Sequence, residues 1–380
     1  MRIGIDYSAA VNQRAGIGRL VLNQVHALAE IDHTNEYVLL HTRPNGGAGA
    51  QFPTAENFAP REVAVRERWL TIAWHRAQLP LPADWLSGPI DLFHSPDFVL
   101  PPLRRARGIL TVHDLAFLLH PECAHDRLRE YLEAVVPRSV RRADLVIVDS
   151  ENTRNDVVVL LGIPPDRVEV VPGGVESRFE PVQDEVQLAR ARQLLGVKEA
   201  PFILSVGILE PRKNLTTLMD AFAILKQRGR APDHKLVLAG ARGWLMEGIL
   251  AHYANSPVHD DILLPGFVPD DLLPAIYTAA DVLAFPSLYE GFGLPILEAM
   301  ACGSPVVSSN TSCLPEVAEG AAVLVAPESA EELAVALEGA LTDESLRADL
   351  RRAGRARAAQ YTWRGAAEKL LNVYRRLGAA

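Results

Sequence analysis

The sequence predicts an α/β protein built as two domains of comparable size, and three observations carry that prediction. Apolar runs of strand type alternate with stretches of helical period along almost the whole chain, the pattern of parallel sheets covered by helices. A length of 380 residues exceeds what one ordinary core accommodates. Near the middle the alternation breaks at VVPGGVESRFEPV (Val170 to Val182), where glycines and prolines mark a linker. The domains then span 1–175 and 176–360, and 361–380 is left as a closing helix.

The first domain opens on a strand, Ile3 to Tyr7, followed by the loop AGIGRL. Leu20, Val21, Val25, Leu28 and Ala29 then recur at helical spacing, so Gly16 and Gly18 precede a helix. This Gly-Ile-Gly falls short of the full dinucleotide fingerprint and, alone, reads equally as a tight strand-to-helix turn. Tyr37 to His41 is a second strand, and residues 45–50 form a glycine-rich loop. Trp69, Ile72, Trp74, Leu79 and Trp85 follow, interleaved with Arg66, Arg68 and Arg76. Two readings stand: aromatics at helical spacing as core with the arginines as their solvated edge, or a surface that meets a membrane or a lipid-linked acceptor. Asp91 to His94 and Gly108 to Val112 are buried-type strands, and the second ends in VHDLAF. His113 and Asp114 therefore lie just past a strand's C-terminal end, where open α/β sheets bind ligands, although a lone His there also serves structurally. Leu145 to Ser150 is the next strand, with Asn152 or Thr153 as cap of the following helix, and Val168 to Val171 the last before the linker.

The second domain restarts with FILSVGILEPRKNL, in which a strand ends at Gly207 and a helix from Leu215 to Leu225 begins after Asn214. No lysine occurs before Lys198, so Lys213 stands out. Arg212 offers a planar fork and Lys213 a point charge, together suited to two linked phosphates beside a helix start; the blander reading is a solvated loop pair. Strands at Leu236 to Ala239 and Ile262 to Pro265 lead through Gly266 to Val268 into a helix from Leu272 to Ala279. Next comes AFPSLYEGFGLPILEAMACGSPVVSS (Ala284 to Ser309), one βαβ unit whose helix Pro295 opens and Gly303 closes. Gly291 and Gly293 leave the backbone bare at that helix's N-terminus, where free N–H groups and the helix dipole favour a phosphate. Glu290 and Glu298 flank the turn. As ionised carboxylates they only accept hydrogen bonds, and a sugar offers adjacent hydroxyl donors, so phosphate plus sugar points to a nucleotide sugar. Otherwise Glu298 is a solvated first-turn acid and Glu290 a turn residue. Ala321 to Val325 is a final strand, and Trp363, Leu370, Val373, Tyr374 and Leu377 give the closing helix one apolar face.

Composition narrows the function classes. A formal charge of -9 disfavours a nucleic-acid partner, and the arginine clusters, at Arg104, Arg105 and Arg107, at Arg138, Arg141 and Arg142 and along Arg347 to Arg357, sit among acids on helical stretches as solvated faces. No apolar run is long enough to span a bilayer, and the N-terminus enters its first strand without a basic, apolar leader, so a cytoplasmic location is expected. Three cysteines without paired spacing argue against a disulfide framework and a zinc site. No metal and no cofactor is expected.

The acid, seven residues, acid spacing of Glu290 and Glu298 within EGFGLPILEAMACGSPVV resembles the motif of retaining glycosyltransferases of family 4. The resemblance covers almost the whole chain, is strongest from Gly207 to Asn310 and weakens from Arg43 to Gly88. It implies the GT-B architecture, two facing Rossmann-like domains with an interdomain cleft, the donor on the second domain, the acceptor on the first, and the closing helix packed back on the first. It implies a catalytic set of His113, near the donor sugar, Arg212 and Lys213, on the donor diphosphate, and Glu290, on the transferred sugar. Donor binding would further use the loop of Gly16 and Gly18, the backbone near Val268 against the base, the turn of Gly291, Phe292, Gly293 and Leu294, and Glu298 at the ribose. The reaction implied is metal-independent sugar transfer from a nucleotide sugar to a glycan or lipid-linked glycan, the leaving phosphate taking the acceptor proton. Many members carry Arg directly after the strand's glycine, whereas this chain has Ile208. GILEPRKN looks like the branch in which GDP-mannose users are common, so a mannosyltransferase of polysaccharide biosynthesis is the expectation. Alternatives are a UDP-sugar-dependent transferase, a nucleotide-sugar epimerase of the same architecture and a non-catalytic scaffold.

Overall fold

A computed structural model describes residues 1–13, 16–43 and 51–379, so the glycine-rich loop expected at 45–50 lies outside the described residues. Contacts divide the chain into two units. One comprises Met1–Leu115, Arg127–Gly174 and the chain from Thr362 on; the other comprises Ala116–Asp126 and Val175–Tyr361.

The first unit carries strands β1 (Arg2–Asp6), β2 (Glu36–Thr42), β3 (Phe58–Val63), β4 (Leu92–Ser95), β5 (Arg107–Val112), β6 (Leu145–Val148) and β7 (Val168–Val170). Among the described residues they form one parallel sheet in the order β3-β2-β1-β4-β5-β6-β7. Central strands such as β4 and β6 are buried throughout, as parallel strands covered on both faces must be. Strand β3 is absent from the sequence reading because four of its six residues are exposed at the sheet edge, leaving no apolar signal. Helix Trp363–Ala379 belongs to this unit: Leu370, Leu371 and Tyr374 join its core, and the Tyr374 hydroxyl lies 2.7 Å from His94 Nδ1.

The second unit carries β8 (Phe202–Val206), β9 (Lys235–Ala239), β10 (Ile262–Gly266), β11 (Val282–Phe285), β12 (Val306–Ser309) and β13 (Val323–Val325), all parallel, in the order β10-β9-β8-β11-β12-β13. Each sheet thus reverses strand order once, between β1 and β4 and between β8 and β11. These are the switch points at which doubly wound sheets bind ligands beyond the strands' C-terminal ends. Two apolar layers cover the second sheet, one including Ile276, Leu297 and Met300, the other Leu218, Phe222 and Leu337.

Several local expectations are corrected. The domain expected to run unbroken over 1–175 is interrupted, since Ala116–Asp126 groups with the second unit. There the Trp244 indole donates to Cys123 O at 2.7 Å, and His120 and Tyr289 set their rings 5.9 Å apart. Ser150, not Asn152 or Thr153, caps helix Glu151–Leu161, its hydroxyl accepting from Thr153 N at 3.1 Å, and β6 accordingly stops at Val148. Gly18 does not precede its helix but lies inside Ile17–Ile31, where a Cβ would stand 2.2 Å from Gln13 O; only glycine fits. The core reading of the aromatic stretch holds for Trp74, which is buried and donates to Leu81 O, and fails for Trp69 and Trp85, which are 54% and 60% exposed. Helix Glu67–Thr71 passes into a π-turn over Ile72–Arg76, and the wider turn throws α-helical spacing out of phase.

Candidate active site

At the second unit's switch point, two loops lock together. Beyond β8 the chain makes a tight turn at Pro211–Lys213, and Asn214 turns left-handed at φ 54° before helix Leu215–Gln227. The Asn214 amide donates to Pro286 O at 3.1 Å and Pro327 O at 2.6 Å, while Leu288 N donates to Arg212 O at 2.9 Å. The loop after β11 is thereby held against the one after β8. Within that frame Lys213 Nζ donates to Glu290 Oε1 at 2.6 Å, and Arg212 Nη1 meets Glu290 Oε2 at 2.7 Å and Tyr289 O at 2.7 Å. The Lys213 ammonium also sits 4.9 Å from the centre of the Phe285 ring. Glu290 is tied through its backbone as well, donating N–H to Ser312 Oγ at 3.0 Å and accepting from the Cys313 thiol at 3.1 Å.

Burial works to raise the Glu290 carboxyl, but Arg212 and Lys213 outweigh it and hold the group down at about 2. Glu290 is therefore an anion serving two cations. A second acid, Glu210, accepts from Arg212 Nη2 at 2.6 Å through Oε1, while its Oε2 is buried without a hydrogen-bond partner among the described residues. Burial pushes the Glu210 carboxyl up despite those cations. Sequence reasoning missed this residue; its signal was an acid directly ahead of Pro-Arg-Lys in EPRKN.

Val268, the turn of Gly291 to Leu294 and Glu298, also expected at the donor, belong to the same unit. Helix Leu294–Ala301 starts at Leu294 rather than Pro295, with Gly293 as its cap at φ 99°, where a Cβ would crowd Leu314 at 3.0 Å. Glu298 falls beyond the first turn and is buried, its Oε2 accepting from the Tyr277 hydroxyl at 3.0 Å; it is not a solvated first-turn acid. Phe292 is buried with its ring 5.6 Å from that of Tyr361, and its carbonyl accepts from the Cys313 thiol. Near the expected base site the Val268 side chain is buried, whereas its neighbour Phe267 is 53% exposed.

His113, Gly16 and Gly18 belong to the first unit. His113 follows β5, and both its ring nitrogens are engaged: Nδ1 with Asp149 Oδ2 at 2.7 Å, Nε2 with Pro96 O at 2.8 Å. Neither a carboxylate nor a carbonyl donates, so both nitrogens carry hydrogen and the ring is an imidazolium. Burial opposes that charge, yet Asp149 prevails and the group is raised to about 9. Asp97, beside it, is pushed up by burial and drawn down by His113. Gly16, at φ 58°, caps helix Ile17–Ile31. Among the described residues no group of three or more His, Cys, Asp or Glu is gathered as metal ligands are.

Two doubly wound parallel units, one carrying a paired-cation site at its switch point, define a GT-B glycosyltransferase once the chain is set beside known proteins. Residues 14–179 match the family model described as Glycosyltransferase Family 4, and residues 189–357 that described as Glycosyl transferases group 1. The chain is 32% identical over 375 residues to the O-antigen chain mannosyltransferase B of Escherichia coli, covering 95% of this chain and 96% of that one. It is 30% identical over 278 residues to a serotype-specific mannosyltransferase, WbdA, of the same organism, over 71% of this chain and 34% of the relative. Sucrose-phosphate synthase from Thermosynechococcus elongatus superposes with a TM-score of 0.76 at 22% identity, over 100% of this chain and 99% of that one, a likeness of fold. The chain belongs to the family 4 glycosyltransferases. Both relatives bear the names of transferases, which does not favour the epimerase alternative.

Proposed function

We propose that this glycosyltransferase moves mannose from GDP-mannose to a hydroxyl of a glycan or lipid-linked glycan, retaining the anomeric configuration and using no metal. The observation that carries the reading is the convergence of Arg212 and Lys213 on the single carboxylate of Glu290. As the bond from the sugar's C1 to the diphosphate breaks, charge grows on the leaving phosphate, and two fixed cations in a partly desolvated site stabilise it without reorganising. The acceptor oxygen bonds to C1, and its proton passes to the leaving phosphate. His113 is not the base in this reading, because both ring nitrogens already donate. Glu290 accepts from hydroxyls of the transferred sugar and Glu298 from the ribose, with the turn of Gly291 to Leu294 and the loop of Gly16 and Gly18 toward the phosphates.

Mannose and GDP are supported by GILEPRKN, with Ile208 after the strand's glycine, and by the names of the two relatives. The test is incubation with GDP-mannose or UDP-sugars and a mannose-terminated oligosaccharide, followed by NMR of the product. An α-mannoside is expected. A β-linkage overturns retention, transfer from UDP-sugars alone overturns GDP-mannose, and a new sugar nucleotide formed without acceptor overturns transfer itself.

A further inference from the structure

The aromatic stretch of the first unit plays no part in sugar transfer as proposed above, and its exposure is unusual. Trp85 is 60% exposed, Trp69 54%, Leu79 46%, Leu81 44%, and Ile72 and Val65 38% each. Single exposed apolar residues are ordinary, but six within 21 positions form a patch. The chain folds back on itself to gather them: Leu79 N donates to Ala73 O and Trp74 Nε1 to Leu81 O, both at 2.7 Å. Neighbouring segments are stitched to the same surface. Ala83 N donates to Pro102 O at 2.8 Å, Arg104 N and Arg105 N donate to Asp84 Oδ2 at 3.1 and 2.9 Å, and Arg61 Nε donates to Leu86 O at 3.3 Å. Arg61, Arg66, Arg68, Arg76, Arg104 and Arg105 are all exposed along these segments, with the Arg68 guanidinium 5.1 Å from the Trp69 ring.

We propose that this face docks the enzyme on an anionic lipid bilayer, with the tryptophans and leucines in the headgroup layer and the arginines on lipid phosphates. Charge favours that occupant. Residues 61–86 and 102–105 together carry a formal charge of +3 in a chain of -9, so the face is basic on an acidic protein. Within it Asp84 accepts from the backbone N–H groups of Arg104 and Arg105, and Glu62 lies 3.6 Å from Arg43. Shape agrees, because the apolar groups protrude half-exposed rather than line a groove, and indole with guanidinium is the pairing that suits a membrane interface. No helix among the described residues is long and apolar enough to cross a membrane, so the contact is peripheral. This inference does not depend on the identity of the donor.

Flotation of the full chain with vesicles of phosphatidylcholine alone, or mixed with phosphatidylglycerol, tests it. The protein is expected to float with the anionic vesicles, to be released by high salt, and to stay behind with phosphatidylcholine. Trp69→Ser with Trp85→Ser should abolish flotation, and Arg66→Gln with Arg76→Gln should weaken it on the order of tenfold or more, with unchanged thermal melting in each case. Quenching of wild-type tryptophan emission by brominated anionic lipid reads the same contact without any substitution. Absence of both flotation and quenching overturns the proposal, as does undiminished flotation of a folded double-tryptophan variant. A wild-type dimer in lipid-free solution that the same substitutions dissociate overturns it in favour of a second copy of the chain.

Discussion

The two units reverse strand order at the same place, yet what they gather there is opposite in character. Beyond β8 and β11, Arg212 and Lys213 converge on Glu290, and Glu210, which accepts from Arg212, keeps one buried oxygen without a partner among the described residues. Beyond β4 and β5, His113 has one acceptor for each ring N–H, and the cluster is closed. One site sets two adjacent cations against Glu290, with Glu210 reaching Arg212 as well, whereas the other gives each N–H of a single imidazolium its own acceptor. Topology supplies the location; the residue set decides its chemistry.

The largest expected effect falls on the open site. Lys213→Ala should slow transfer on the order of 10²-fold or more, by analogy with a lost oxyanion donor, and Arg212→Lys should slow it less, since the charge stays and the fork is lost. Steady-state kinetics near the wild-type rate would remove the contrast between the two switch points. His113→Gln should act on stability instead, costing about 3 kcal/mol because it leaves Asp149 buried without its cation. A group raised from 6.5 to about 9 contributes stability that is complete below about 6.5 and lost as pH rises through about 9. Melting curves should therefore converge for wild type and variant in alkali; parallel curves across that window would refute the imidazolium.

Glu290→Gln should depress turnover while sparing the free nucleoside diphosphate, and Glu298→Gln should weaken that nucleotide about tenfold, the worth of one lost charged hydrogen bond. Calorimetric titration of both variants sharpens the division within the open site, and equal losses would merge the two roles. The smallest expected effect is none: activity persists in excess EDTA, and loss restored by Mg²⁺ or Mn²⁺ would transfer the phosphate charge to a metal.

The open site was more legible in sequence than the closed one. Glycine, proline and the scarce residue Lys213 concentrate around residues 207–214 and 290–303, and these residue types have few bland uses at strand ends. His113 is signalled by its position beside Asp114 past a strand end and by the resemblance, while Pro96 and Asp149, which fix its protonation, lie on other strands' ends and have no local signature. Glu210 was hidden because an acid before a proline looks like any turn. Strand β3 lacked alternation, and the stretch from Trp69 to Trp85 misled because a π-turn breaks the period on which helical patterns rest.

The segment Ala116–Asp126 has a bearing on how such chains are recombined. It is encoded before the linker but is grouped with residues encoded after it, through Trp244 against Cys123 and Tyr289 against His120. A hybrid enzyme spliced at Val175 would join the first half of one parent to the second half of another, and would bring in this strap from the wrong parent. Trp244 and Tyr289 would then face residues selected for a different partner, directly beside the Arg212 loop. Domain exchange in this protein is a graft of two segments with four junctions, and 116–126 must travel with 175–361.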